Sequence, residues 1–312
     1  MNKKRKIKRK PILFLVSFII VLIIVVFIVK TINYHNTYTY KLQKIGYNEQ
    51  ETKYLIKNLK EKTLDYLLTI KYDENIYKLS KEKYFIENNL KSYLKYYKDN
   101  DKELNDVIAI VNVCADKEWY SEYNDTDMNK GNLMLVNKFN KLSKDYNPDD
   151  LVDVSNVYSF GSGQKLRKDA FDAFKDMFND AKKEGLTLII NSSYRTYEEQ
   201  EETYNYYYER NGKKYADSIA ARAGFSEHQT GLSIDIQTYN SSASTFENFD
   251  EFKWLQDNSY KYGYILRYPK NKEYLTGYNY ESWHYRYVGI EVATYIHENN
   301  ITFDEYYAYF IK

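Results

Sequence analysis

The sequence predicts an α+β fold, an antiparallel sheet with flanking helices, preceded by a transmembrane helix and a small helical region. Three observations carry that expectation. Residues 12–29 (ILFLVSFIIVLIIVVFIV) contain no charge, and as a helix they span ~27 Å, most of a bilayer core. Residues 48–105 contain neither Gly nor Pro and repeat apolar positions at helical spacing. From Asp106 onward, short strand patterns and amphipathic helix patterns follow one another without the regular βαβ alternation of a parallel sheet. The implied domains are 1–30, 31–105 and 106–312.

The N-terminus reads as an uncleaved signal anchor. Lys3, Lys4, Arg5, Lys6, Lys8, Arg9 and Lys10 precede the apolar run, and the positive-inside rule keeps them cytoplasmic. The competing reading, a cleaved signal peptide, expects a shorter apolar region and a small-residue cleavage site; Lys30-Thr-Ile-Asn-Tyr follows instead. The expected location is the cell membrane, single-pass, with everything after about residue 31 outside. Of the 45 Lys and Arg, setting aside those seven and Lys30 leaves 37 basic against 44 acidic residues beyond the anchor. That balance gives no support to nucleic-acid binding. A single cysteine, Cys114, rules out a disulfide framework and a Cys-rich zinc module. It reads as a small buried hydrophobe.

Tyr54, Leu55, Leu59, Leu64, Tyr66 and Leu67 set the helical spacing of the first outside segment, which reads as two to four short helices, a spacer or small domain. Val107–Val113 is a strand candidate, and Leu133–Leu142 a strand or short helix. Gln164–Glu184 is the clearest helix, with Leu166, Ala170, Phe174, Met177 and Ala181 on one face and Gly185 as its stop. Leu186–Ile190 reads as a strand, Thr196–Arg210 as a helix, Leu232–Ile236 as a strand and Phe249–Tyr262 as a helix. Ile265–Arg267 and Trp283–Val288 are strands, and Gly289–Glu298 is read as the final helix.

Two segments carry the chemistry. In Ser226-Glu-His228-Gln-Thr-Gly231-Leu-Ser-Ile-Asp235, the glycine permits a sharp turn, so that a loop His and a strand Asp converge. Strand alternation puts Leu232, Ile234 and Ile236 on one face, Ser233 and Asp235 on the other. In Glu281-Ser-Trp283-His284-Tyr-Arg286-Tyr, His284 and Arg286 share a face opposite Trp283, Tyr285 and Tyr287. His228, Asp235 and His284 offer two nitrogens and an oxygen to zinc, with a position left open for water. A regular strand puts Glu281, three before His284, on the wrong face; it must sit just before the strand or on a bulge. There it suits a general base. Arg195, in Ser193-Tyr194-Arg195 with Gln200 five residues on, carries a permanent charge able to stabilise an oxyanion.

SEHQTGLSID, ESWHYRY and SSYRTYEEQ closely resemble the VanY-type zinc D-alanyl-D-alanine carboxypeptidases, over roughly residues 130–295. The resemblance implies a fold shared with Hedgehog-like zinc peptidases. It implies His228, Asp235 and His284 as ligands of Zn2+, Glu281 as general base and Arg195 at the transition state. Ser226, Gln200, Tyr194 and Trp283 match positions that line the family's substrate site. Two departures stand out: Ala223 where the family usually has Pro, and Ser233 where it usually has Ala, a hydroxyl available to a ligand or substrate. The expected partner is the peptidoglycan stem peptide, trimmed of its terminal D-alanine. An LD-carboxypeptidase acting on tetrapeptide stems, and an inactive wall-binding protein that kept the fold, are the alternatives.

Overall fold

The computed structural model describes residues 9–312, with side chains from residue 14; Lys3, Lys4, Arg5, Lys6 and Lys8 lie outside the described residues. The chain divides into two compact units, Met1–Lys95 and Tyr96–Lys312.

The first unit begins with α1 (Arg9–His35). Its apolar side chains from Phe14 to Val29 are exposed, and the stretch Phe14–His35 is long and apolar enough to cross a membrane. Helices α2 (Tyr38–Ile45), α3 (Glu49–Asn58), α4 (Glu61–Leu67), α5 (Glu74–Lys81) and α6 (Leu90–Asp99) follow, the last carrying the division between the units. Side chains cap three of these helices: Thr37, Asn48 and Asp73 each accept from a backbone N–H of the first turn. Asn48 and Glu51 form a reciprocal capping box. Leu42, Leu55, Leu67, Ile76 and Leu79 are fully buried, matching the helical spacing read from the sequence.

In the second unit, Val107–Val113 departs from expectation. It belongs to a helix, α7 (Leu104–Asn112). Ala109, Ile110 and Val113 pack against Leu275 and Ala308. The apolar run Val107–Val111 has no period, so burial on every side of a helix looks the same in sequence as a central strand. Cys114 follows it, half-buried rather than buried, with φ 65°. Residues 133–142 form no long element either. They contribute β2 (Asn140–Lys141), paired in parallel with β1 (Asn124–Asp125). Met134, Val136 and Leu142 are nevertheless buried, so the apolar pattern there reports an enclosed loop. The front of the predicted 164–184 helix is a strand: β4 (Lys165–Arg167) pairs antiparallel with β3 (Leu151–Asp153) before α8 (Lys168–Lys183) begins.

The central sheet contains β5 (Ile189–Ser192), β6 (Ser233–Gln237), β7 (Tyr264–Tyr268) and β8 (Glu281–Tyr287), in the order β5-β6-β8-β7, with each neighbouring pair antiparallel. Ala170, Phe174, Met177 and Ala181 of α8 share one buried core with Ile190, Ile234, Ile236 and Tyr285 of the sheet. That face is closed by packing, and the opposite face is left for the polar residues. Helices α9 (Tyr197–Asn211) and α10 (Lys213–Ile219) lie in sequence between β5 and β6. Helices α11 (Asp250–Asn258), α12 (Glu273–Thr276) and α13 (Ile290–Asn299) come later. The predicted final helix is not the last: α14 (Phe303–Phe310) follows, started by a capping box between Thr302 and Glu305.

Candidate metal centre

The alternation of β6 and β8 sets the site. Leu232, Ile234 and Tyr285 enter the core, which turns Asp235, His284 and Arg286 to the other side. Asp235 is the cross-strand partner of His284, and its Oδ1 lies 3.0 Å from His284 Nδ1. His228 arrives from the single turn Glu227–Thr230 just ahead of β6. Ser226 caps that turn, accepting from the His228 backbone N–H at 3.3 Å. Gly231 closes it with φ 67°; a Cβ there would fall 2.8 Å from Leu151 Cδ2 and 3.0 Å from Arg167 Cγ. Only glycine meets both demands.

The three side chains bring one donor atom each to within 4.8 Å of one another. The backbone oxygen of Ser193 lies 2.6 Å from His228 Nδ1, so that nitrogen donates and Nε2 is left to act as ligand. His228 Nε2 faces Asp235 Oδ2 at 3.5 Å. His284 is turned the other way, with Nδ1 toward Asp235 and Nε2 toward Glu227 Oε2 at 3.6 Å. Two imidazole nitrogens and a carboxylate oxygen, with the His228 ring oriented by the Ser193 backbone oxygen and His284 backed by the Glu227 carboxylate, suit zinc, with one coordination position left open. Zinc is the cofactor this donor set selects.

The electrostatics are those of a buried charge cluster. Burial opposes ionisation of Asp235, but the two imidazoles hold its carboxyl well below the usual range. Burial, helped by the nearby Arg195 charge, lowers His228 against the pull of Asp235. Burial also pulls His284 down, yet Asp235 and Glu227 outweigh it and lift the imidazole to about 9. Glu281 is pushed up by burial to about 8, with Asp235 and Glu227 adding to the rise and His284 and Arg195 opposing it.

Glu281 reaches the site through a bulge. Leu266 pairs with Tyr285, but Tyr268 pairs with Glu281. Two steps along β7 therefore match four along β8, and the ladder shifts phase. Arg195 approaches from the loop before α9. Its Nη1 donates to Gln200 Oε1 at 2.6 Å and its Nη2 to Ser192 Oγ at 3.0 Å. Gln200 in turn donates to the Ala221 oxygen at 2.6 Å. Arg195, Gln200, Ser226, Glu281 and Trp283 line one cavity of about 250 Å³ with the three donors.

Two expected lining residues lie elsewhere. Tyr194 points away and donates its hydroxyl to Asn147 Oδ1 at 2.8 Å, because adjacent residues in an extended loop face opposite ways and Arg195 takes the inward position. Ser233 is fully buried on β6, and its hydroxyl has no partner among the described residues. Two residues from Asp235 on the same strand, it is outside the cavity lining.

Residues 163–290 match the family model for VanY, D-alanyl-D-alanine carboxypeptidase. A bifunctional D-Ala-D-Ala dipeptidase and D-Ala-D-Ala carboxypeptidase of Enterococcus gallinarum, VanXYC, is 31% identical over 184 residues, covering 57% of this chain and 94% of the relative. The chain belongs to the VanY D-alanyl-D-alanine carboxypeptidase family. Within it, the putative carboxypeptidase YodJ of Bacillus subtilis (strain 168) is 45% identical over 181 residues, 56% of this chain and 66% of YodJ. The chain therefore spans slightly less than two thirds of that relative. The solved structure of the LdcB LD-carboxypeptidase, concerned with peptidoglycan recognition, has 40% sequence identity and a TM-score of 0.56, covering 60% of this chain and 90% of LdcB. The relatives named here cover 56–60% of the chain.

Sequence reasoning passed over Glu227, although it stands inside the quoted motif. It is fully buried between two guanidinium groups, Arg267 Nε at 2.8 Å and Arg286 Nη1 at 3.1 Å from its Oε1. Burial opposes its charge, and Arg267 and Arg286 hold its carboxyl far below the usual range. Arg267 also pairs with Asp304 of α14 at 2.6 Å. The signal was available: arginines inside the strands YILRY and WHYRY need buried acids.

Proposed function

We propose that this VanY-family chain is a membrane-anchored zinc carboxypeptidase that removes the C-terminal D-alanine from peptidoglycan stem peptides. The observation that carries the reading is the convergence of Glu281 and Arg195 on the His228–Asp235–His284 donors in one cavity. Zinc held by His228, Asp235 and His284 would supply Lewis-acid polarisation of a carbonyl and a water of pKa ~7. Glu281 takes the proton from the attacking water as its oxygen bonds to the scissile carbonyl carbon. Arg195 faces the oxygen on which negative charge grows, held in place by Gln200 and Ser192. Glu281 then passes the proton to the departing amine as the C–N bond breaks, and a free carboxylate remains on the shortened stem.

The length and apolar surface of α1, with the basic cluster ahead of it, support anchoring with the second unit on the outer face of the membrane. The likeness to LdcB favours one further reading, removal of D-alanine from a tetrapeptide stem. One experiment separates the two. The zinc-loaded protein is offered pentapeptide and tetrapeptide stems, with Glu281→Ala as control, and free D-alanine is measured by mass spectrometry. Release from the pentapeptide alone supports the proposed reading, and release from the tetrapeptide alone supports the LD reading. Release from neither, with zinc bound, overturns both.

A further inference from the structure

A second cavity, about 940 Å³ in volume, stands back to back with the catalytic one. Two short segments form the partition between them. Ile219, Ala220, Ala221 and Tyr278 face the catalytic cavity, whereas the neighbouring Asp217, Ser218, Arg222, Gly277 and Asn279 face the second.

The partition is firmly tied. The Asn279 backbone N–H donates to Ser218 O at 2.9 Å. Lys138, 2% exposed, donates from Nζ to Asp217 O and Gly277 O, at 2.5 Å each, and sits 4.2 Å from the centre of the Tyr278 ring. Arg222 grips the Asp217 carboxylate at 2.9 and 2.8 Å. The second cavity is thus preformed, which spares a ligand the cost of ordering it.

Its lining suits an anionic chain with some apolar surface. Lys138, Lys213, Lys214 and Arg222 face only Glu118 and Asp217, in a unit where residues 96–312 hold 25 basic against 36 acidic residues. Asp217 is already taken by Arg222. Lys213 and Lys214 are exposed and have no ion-pair partner among the described residues. Trp119 and Tyr215 add aromatic surface, and Asn211 and Asn279 add amide groups. The catalytic cavity, about a quarter of this volume, has room for the end of a stem and little more. A polymer engaged there must pass on over the surrounding surface.

We propose that the second cavity docks a carboxylate-bearing peptide segment of the wall polymer, beyond the end being hydrolysed. The inference rests on the wall-peptidase reading above and adds to it a preference for polymeric over short substrates. The ammonium groups of Lys213 and Lys214 meet the carboxylates, and the aromatic rings cover the chain between them.

The test uses the zinc-loaded full chain with and without the double substitution Lys213→Glu/Lys214→Glu. A short N-acylated tripeptide ending in D-Ala-D-Ala is too small to cross the partition; purified insoluble wall is not. The expected result is kcat/KM on the tripeptide within about twofold of the parent, and release from wall reduced about tenfold, mainly through KM and most strongly at low salt. Equal rates on wall for the two proteins overturn the proposal, as does an equal loss on both substrates. A second arm measures co-sedimentation with wall in the Glu281→Ala background, with and without the lysine substitutions. Wall retention about tenfold weaker with them supports the docking cavity, and unchanged retention overturns it. That arm is independent of turnover, so a parent protein that hydrolyses nothing refutes the peptidase reading and leaves the docking cavity to be judged by retention.

Discussion

Glu281 Oε2 lies 3.9 Å from His284 Nδ1, although the two stand three positions apart along one strand. A regular strand would send them to opposite faces. The bulge in β8 reconciles the two, so the base owes its position to a ladder irregularity while the metal donors owe theirs to alternation.

That division of origin separates the effects of substitution. Glu281→Ala leaves the three donors in place, and zinc stoichiometry by elemental analysis is expected to match the parent while turnover is lost. Retained turnover removes Glu281 as the base. His284→Ala is expected to do the reverse at the first step, lowering zinc content itself.

Arg195→Ala is expected to lower kcat by about two to three orders of magnitude with little change in KM, as for loss of an oxyanion donor. Gln200→Ala removes only the group holding Arg195 Nη1 and the Ala221 carbonyl, so a smaller fall is expected. Steady-state kinetics on one peptide rank the two; an effect of Arg195→Ala confined to KM would make it a ground-state binding group.

Glu227 backs His284 and balances two buried arginines. Glu227→Ala is expected to destabilise the fold by about 3–5 kcal/mol, read by denaturant titration, because two guanidinium groups lose their shared acid. Glu227→Gln keeps the shape and is expected to weaken zinc binding about 10–100-fold through the loosened imidazole. Competition with a chelator measures it, and unaltered affinity would mean that Asp235 alone orients His284.

Burial pushes the Lys138 ammonium down to about 8 from an ordinary value of 10.5. Between those values the unfolded chain keeps the proton and the folded chain has released it. The unfolded state binds more protons there, so this residue's contribution to stability rises with pH, by up to roughly 3 kcal/mol. Lys138→Met is expected to abolish that rise. The slope of the stability difference between the two proteins from pH 8 to 10.5 is the readout, and parallel curves would contradict the shift.

Much of this site is legible in the sequence because short-range rules determine it. Alternation in LSIDI and WHYRY predicts which side chains face the core, and the structure places Asp235 and His284 accordingly. The Glu281 bulge is only half legible: the wrong-face problem is visible, its solution is not, since the extra residues are left out of a ladder whose register is set by pairing with another strand. Val107–Val113 fails for the opposite reason, an excess of apolar residues that erases the period. The missed α14 had a local signal in Thr302-Phe-Asp-Glu305, a capping pattern ahead of an aromatic run. Tyr194 and Ser233 fall outside the cavity lining, since motif proximity does not say which way a side chain points.

The phase shift between β7 and β8 also bears on what repair would do to this protein. Removing Ser282 and Trp283 would restore an unbroken ladder between the two strands. It would also carry the base out of register with the donors. An engineer regularising this sheet for thermal robustness would therefore be expected to select a sturdier, zinc-loaded and silent protein. The irregular stretch of β8 is the part of the sheet to leave alone.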